Sequence, residues 1–213
     1  MLEQLDTYIC FRFECDVVER VLGNLPDQKA LVKYLVEKDA ETNQDELEED
    51  IAAGNGEGIM IFPKDERGIY IRERQIKGWF KETLERLSKR WKLRGFKQII
   101  AHDCKIIPQK IYFTRNGEII QQPDGILTIP IRVLTPKGAR SAVKRMEYIS
   151  APASFSFDMY IDPVSFYELF SVERWTARWQ TFITRLGDIG ILGDRGLGEG
   201  RLNLRVYPKR DPK

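Results

Sequence analysis

The stretch GDIGILGDRGLGEGRLNL, residues 187–204, places six glycines in fourteen positions between an aromatic segment and an alternating one. Glycine reaches backbone angles closed to other residues, so such a run predicts main-chain N–H groups that come close to something. With Arg195 and Arg201 beside them, bare amides form a concave nest suited to a phosphate. Gly193, Arg195, Gly196, Gly198, Gly200 and Arg201 are therefore candidate anion contacts. A long flexible hairpin loop is the other reading of the same glycines. The pattern is not GxxxxGK[ST], and no strand leads through it into a helix, so neither a P-loop nor a dinucleotide fingerprint is met.

Charge supplies a second signal. The net charge is only +2, from 34 Lys/Arg and 32 Asp/Glu. Residues 1–63 hold 5 basic against 15 acidic residues, residues 64–145 hold 20 against 8, and residues 146–213 hold 9 against 9. A local basic excess is what a polyanion meets, whatever the total charge. Alternatively, the acidic and basic segments pair with each other within the fold or across a subunit contact.

Groups for catalysis are few. Cys10, Cys15 and Cys104 are odd in number and lack CxxC spacing, which argues against a disulfide framework or a structural zinc site. Buried free thiols are expected. His102 is the only histidine, and with Cys104 it makes two ligands, too few for a site. No metal or cofactor is expected. No apolar run reaches the roughly 18 residues of a spanning helix, and MLEQLDTYICF lacks the order of a signal peptide. The expectation is a cytoplasmic protein without a membrane partner.

The elements that must position these residues follow from periodicity. Thr7 to Cys15 reads as a strand with Ile9, Phe11, Phe13 and Cys15 on one face. Leu25-Pro26-Asp27 predicts a helix start, and residues 39–58 predict a short acidic helix and a loop. GIMIF (58–62) and GIYIR (68–72) flank PKDER as a hairpin. Gln75 to Trp91 predicts an amphipathic helix with Lys77, Lys81, Arg86, Lys89 and Arg90 outward. Residues 105–145 hold eight Lys/Arg against Glu118 and Asp124, in short strands and turns that predict a projecting hairpin. Ala153 to Ile161 alternates cleanly as a strand, and Asp162-Pro163 predicts the cap of one long helix ending at Gly187. Leu202, Leu204 and Val206 close the chain as a strand.

Without the inserts, the order is that of a ferredoxin-like (RRM-like) α+β fold, an antiparallel sheet with helices on one face. The expected organisation is one domain over residues 1–213, with an acidic helical insert at about 24–57 and a basic hairpin insert at about 105–145. The sheet's other face would present Tyr8, Arg12, Tyr160, Arg205 and Tyr207. Tyr8, Tyr160 and Tyr207 are candidates to stack bases, unless an insert or a neighbouring subunit covers them.

Three blocks carry a family likeness. The glycine-rich segment resembles the C-terminal loop of the RAMP superfamily, the ferredoxin-like RNA-binding subunits of CRISPR effector complexes. IYIRERQIKGWFKETL (69–84) looks like the family's extended stretch, loop and Lys-Gly helix start, here Lys77-Gly78. TPKGARSAVKRMEYISAPASFSFDMYI (135–161) is similar to its basic hairpin and following strand, and to uncharacterised phage and prophage proteins. The resemblance spans roughly residues 58–206.

The resemblance implies a noncatalytic RNA-binding subunit. Its partners would be a guide or single-stranded RNA and copies of itself or related subunits, in a CRISPR-type or phage-encoded assembly. The basic residues of 72–90 and 132–145, Arg72, Arg74, Lys77, Lys137, Arg140, Lys144 and Arg145 foremost, join the glycine loop as phosphate contacts. Where the family usually carries a Pro-Gly-Ser-Ser-like loop, this chain has Arg72-Glu73-Arg74-Gln75, so guanidinium groups would replace small residues and amides. The acidic segment 37–57 has no counterpart and suits a protein partner or the role of a nucleic-acid mimic. Two other readings stay open: a RAMP-type endoribonuclease using His102, with Asp16 matching by position an aspartate of metal-dependent members, and a phage interaction or structural protein that does not bind RNA.

Overall fold

The structure, a computed structural model, describes residues 7–26, 59–135, 138–193 and 198–210. For residues 26, 131–135, 138–142 and 210 it describes the backbone alone. Strand β1 (Ile9–Val17) alternates as its sequence predicts, burying Phe11, Phe13, Cys15 and Val17 on one side. It pairs antiparallel with β13 (Ser154–Ile161) on one edge and β14 (Leu202–Arg210) on the other. Strand β7 (Cys104–Ile107) pairs antiparallel with the outer edge of β13. The order β14-β1-β13-β7 places β1 parallel to β7 with β13 between them. Helix α1 (Glu73–Trp91) falls between β1 and β7 in the chain, and α4 (Trp175–Ile189) between β13 and β14. This is the split β-α-β arrangement, and the ferredoxin-like α+β expectation holds.

The helices cover the Phe-rich face. Ile76, Trp79, Phe80, Thr83, Leu84 and Leu87 form the buried stripe of α1. Trp79 donates its indole N–H to the Leu186 carbonyl at 3.1 Å, fastening α1 to α4 inside the core. Phe80 meets Phe13 at 5.6 Å and Phe182 at 5.6 Å between ring centroids, so sheet and both helices share one aromatic cluster.

Several local expectations shift. The single helix predicted after Asp162 is two, α3 (Pro163–Phe170) and α4. Asp162 caps the first as expected, accepting from the Ser165 amide at 3.1 Å. Ser171 then leaves the helix at φ 66°. The bend lets Phe170 pack edge-on to Trp179 at 5.0 Å and brings Phe166 within 5.5 Å of the same ring; a straight helix would carry these aromatics apart along its length. Gly187 is not the cap but lies within α4, which ends at Gly190. Leu25–Pro26 forms a short strand, β3, paired with β4 (Met60–Ile61). The helix expected after Asp27 and the acidic segment 39–58 lie outside the described residues. The hairpin around PKDER is tighter than predicted, with β5 (Lys64–Asp65) pairing Gly68 and Ile69 of β6 (Gly68–Arg72).

After the short strands β8 (Lys110–Tyr112), β9 (Thr114–Arg115) and β10 (Glu118–Ile119), a second sheet holds the long hairpin of β11 (Gly125–Thr135) and β12 (Gly138–Ser150), in register from Gly125↔Tyr148 to Thr135↔Gly138. Strand β2 (Arg20–Leu22) pairs with Tyr148, Ile149 and Ser150, and β4 with Met146. Met146 and Ile149 are buried, whereas Ile126 and Val143 are exposed at 47% and 46%. The base of the hairpin therefore belongs to the core, and residues 138–145 pair with β11 alone among the described residues.

Candidate nucleic-acid interface

The glycine-rich joint is built differently from its sequence reading. The Gly190 amide donates to Leu186 O at 3.2 Å, Ile191 to Gly200 O at 2.9 Å, Gly193 to Leu22 O at 3.1 Å and Gly200 to Arg20 O at 3.0 Å. These N–H groups point into the protein, and Gly190, Gly193 and Gly200 are buried. Gly190 and Gly200 take φ of 75° and 76°, and a Cβ on Gly190 would lie 2.6 Å from the Gly200 backbone. The expectation of amides held open for an anion is thus corrected for Gly193 and Gly200. Their side chains are absent because two stretches of backbone run against each other. Gly198 is exposed with open space around it, and Arg201 is exposed. Arg195 and Gly196 lie outside the described residues.

The joint is also clamped from outside. Arg20 holds the Glu199 carboxylate through Nε at 3.0 and 2.9 Å and through Nη2 at 2.6 Å. That hydrogen-bonded pairing raises the Arg20 pKa further above its ordinary value. The two residues are 179 apart in sequence, so nothing local to either announced the pair.

The open face of the sheet carries the predicted residues in the predicted alternation, yet its charges are largely matched to one another. Arg12 bonds Asp158 at 3.1 Å and Ser156 at 2.6 Å, and Lys209 reaches the other Asp158 oxygen at 2.8 Å. Arg205 lies 3.3 Å from Glu14 and 3.1 Å from Asp16. The register produces this, because Arg12 stands opposite Asp158 and Glu14 opposite Arg205. Tyr207 is 47% exposed. Tyr8 lies under Lys105, whose Nζ is 5.0 Å from the ring centroid. Tyr160 stands opposite Cys10 and Lys105 on the neighbouring strands and is half-buried.

Arg72 ends β6, and α1 begins at the next residue, so no loop separates strand from helix. The Gln75 side chain accepts from the Arg72 amide at 2.8 Å and donates to Asn24 at 2.8 Å. Arg74 is exposed in the first turn of α1, where the helix dipole disfavours a cation. Lys77 turns inward instead, bonded to Glu73 at 2.9 Å and to the Ala101 carbonyl at 3.2 Å. Its outer-face prediction is corrected for that reason. Gly78 is exposed with nothing within 4 Å of a Cβ.

In the hairpin, Arg145 is exposed opposite Thr128, and Lys144 is half-buried opposite Ile129. Arg140 is placed in β12 by its backbone, opposite Val133, and Lys137 lies outside the described residues. From Gly125 to Met146 the sequence contains Arg132, Lys137, Arg140, Lys144 and Arg145 and no acidic residue.

His102 is exposed at the end of α2 (Phe96–His102), with no hydrogen-bonded side chain among the described residues. Asp16 lies in β1 and is ion-paired with Arg205, not in a loop after the strand. An open groove of about 790 Å³ beside β14 is lined by residues such as Phe11, Phe166, Trp175, Trp179 and Val206. Among the described residues its lining includes no carboxylate, imidazole, amine or thiol. Cys104 is buried, which pushes its thiol up to about 12.

No protein-family model matches the chain, and no curated protein does. Among solved structures it is similar to a chain of the cryo-EM structure of the type III-B Cmr-beta bound to cognate target RNA. That match has a TM-score of 0.50 and 13% identity, and covers 97% of this chain and 63% of that one. The protein thus spans somewhat under two thirds of the length of that neighbour. A chain of a type IV-B CRISPR complex aligns with a TM-score of 0.46 at 10% identity, over 93% of this chain and 90% of that one. At such identities the likeness to the Cmr-beta chain is one of fold.

Proposed function

We propose that the protein is a noncatalytic RNA-binding subunit of RAMP type, acting in a CRISPR-type or phage-encoded assembly. It would form a single unit in which the acidic insert (about 24–57) and the basic hairpin are additions to the ferredoxin-like core, the hairpin counted from Gly125 rather than from about 105 because Cys104–Ile107 pairs with the core strand β13. The observation that carries the reading is the β11–β12 ribbon. Residues 138–145 extend past the core paired only with β11 among the described residues, a reach of about 25 Å at the usual rise per residue. A two-stranded ribbon is marginal on its own. One that carries five cations and no carboxylate suits an anionic partner. Its phosphate contacts are Arg140, Lys144, Arg145 and Lys137, supported by Arg72, Arg74 and Arg201.

The likeness of fold to a chain of an RNA-bound effector supports this reading. Contacts to phosphate position an RNA without reading its sequence, so recognition would come from shape or from a guide strand. Tyr207, the most open ring of the sheet face, is the stacking candidate. The glycine joint becomes the frame that holds this surface, with Gly198, Arg195 and Gly196 as its remaining candidates.

Fluorescence anisotropy with labelled single-stranded RNA across a salt series tests the proposal. Lys144→Ala with Arg145→Ala should flatten the log-log salt dependence by roughly 1.4, at about 0.7 per lost phosphate contact. An unchanged slope would remove the ribbon as the binding surface.

A further inference from the structure

A second concentration of charge lies where the end of α1, the α1–α2 turn and the first turn of α4 meet, on the side of the sheet that the helices cover. Residues 81–97 contain seven Lys/Arg and two glutamates. Both glutamates are engaged, Glu82 by Arg86 at 2.8 Å and Glu85 by Lys97 at 2.9 Å. Lys89, Arg90, Lys92 and Arg94 are exposed, and none has a carboxylate partner among the described residues. Across the corner, the Arg178 guanidinium lies 5.5 Å from the centroid of the half-buried Trp91 ring. Arg174, also exposed, is one turn earlier, its carbonyl accepting from the Arg178 amide at 3.0 Å.

Helix electrostatics explain only part of this. Lys89 and Arg90 complement the negative end of α1. Arg174 and Arg178 do the reverse, standing at the positive end of α4 with no acidic residue in its first turn. Lys92 occupies a left-handed conformation, φ 56° and ψ 37°, that glycine or asparagine adopts more readily. Arg174, Arg178 and the backbone of Lys92 thus stand here against local preference, with Arg178 over a Trp91 ring that packs edge-on to Phe170 at 6.4 Å. Interleaved rings and cations are how single strands are held, each base finding a flat partner and each phosphate a charge.

We propose that this corner binds a single-stranded segment of nucleic acid, its phosphates on Lys89, Arg90, Lys92 and Arg94 and a base against the Trp91–Arg178 stack. The site goes beyond the ribbon reading and shares no residue with it. An acidic protein surface would use the cations but has no need of the stacked ring.

The test uses the full chain and a fluorescein-labelled, mixed-sequence single-stranded RNA. Lys89→Ala, Arg90→Ala, Lys92→Gly and Arg94→Ala combined should lower the log-log salt slope by roughly 2.8, at about 0.7 per contact. Lys92→Gly alone separates binding from folding, because it should raise the melting temperature while weakening RNA binding. A slope that is unchanged in the combined variant overturns the proposal. So does polyglutamate that binds the native chain as tightly as RNA and is lost in the same variant, which would point to an acidic protein partner. The ribbon variant Lys144→Ala/Arg145→Ala leaves these four cations in place. The loss in the corner variant should therefore be seen in that background too, and the two readings fail separately.

Discussion

At the scale of the residue, the glycines sort into kinds that their spacing does not distinguish. Gly200 has φ 76° and packs against the Ile191 backbone, whereas Gly198 has φ 86° in open space. A side chain at Gly198 meets only the left-handed penalty, about 1 kcal/mol, while one at Gly200 also collides with backbone. Chemical denaturation should therefore show Gly198→Ala losing about 1 kcal/mol and Gly200→Ala more than about 2 kcal/mol. Gly78 is a third kind, a helical glycine with nothing near it. Gly78→Ala should stabilise α1 by roughly 0.5–1 kcal/mol. If RNA approaches the helix start that closely, the same variant binds RNA more weakly in an anisotropy titration, and unaltered affinity would assign Gly78 no contact.

At the scale of the element, Asp124 fastens the hairpin base to the main sheet. Its carboxylate takes Arg115 at 2.9 and 2.7 Å and the Ser150 amide at 2.7 Å. Arg115 in turn donates to the Pro152 and Ser150 carbonyls at 3.0 Å each. The Arg115 hydrogen bond, with smaller help from the Ser150 amide, holds the Asp124 pKa below its ordinary value. The folded value is the lower one, so its stabilisation is present in full above the ordinary carboxylate range, near 4. It is lost as pH falls below that range through the depressed folded value. Thermal melts from neutral pH down to about pH 2.5 should show Asp124→Asn less stable than the native chain at neutral pH, with the gap closing below about pH 4. A gap that does not change with pH would mean that the carboxylate's charge contributes nothing.

The β-alternation of residues 9–17 and 154–161 and the apolar stripe of residues 76–91 were legible because each records one face meeting one core. The break at Ser171 was not, since the pattern of aromatics continues across it. Nor was the inward turn of Lys77, which depends on the Ala101 carbonyl arriving from another helix. The paired charges of the open sheet face were half legible: Glu14 and Asp16 alternate outward beside Arg12 in the sequence, but only register sets Asp158 opposite Arg12.

At the scale of the whole molecule, core and ribbon separate. Beyond Thr128↔Arg145 the two strands of the hairpin meet no other described strand. Joining Thr128 to Arg145 through an Asn-Gly turn, which matches the twist of a hairpin, should leave far-UV circular dichroism and thermal unfolding near those of the native chain. The same deletion should weaken RNA binding through loss of Arg132, Lys137, Arg140 and Lys144. A collapsed melting temperature would show the ribbon to be part of the folding unit.

The succession β1, α1, β13, α4 and β14, the basic centre of the chain and the alternation of its central strands follow from the residue sequence alone, because periodicity and net charge are properties of neighbours along a chain; α2 and β7, too short to show a period, do not. What the glycines near the C-terminus are for was decided by tertiary contact. Gly193 lies against the backbone of residues 22 and 23, and the Gly200 amide answers the carbonyl of Arg20, pairings that exist only once distant segments are brought together. The meeting of Lys89, Arg90, Lys92 and Arg94 with Arg178 is of the same origin: a linear chain records each charge but not which charges share a surface.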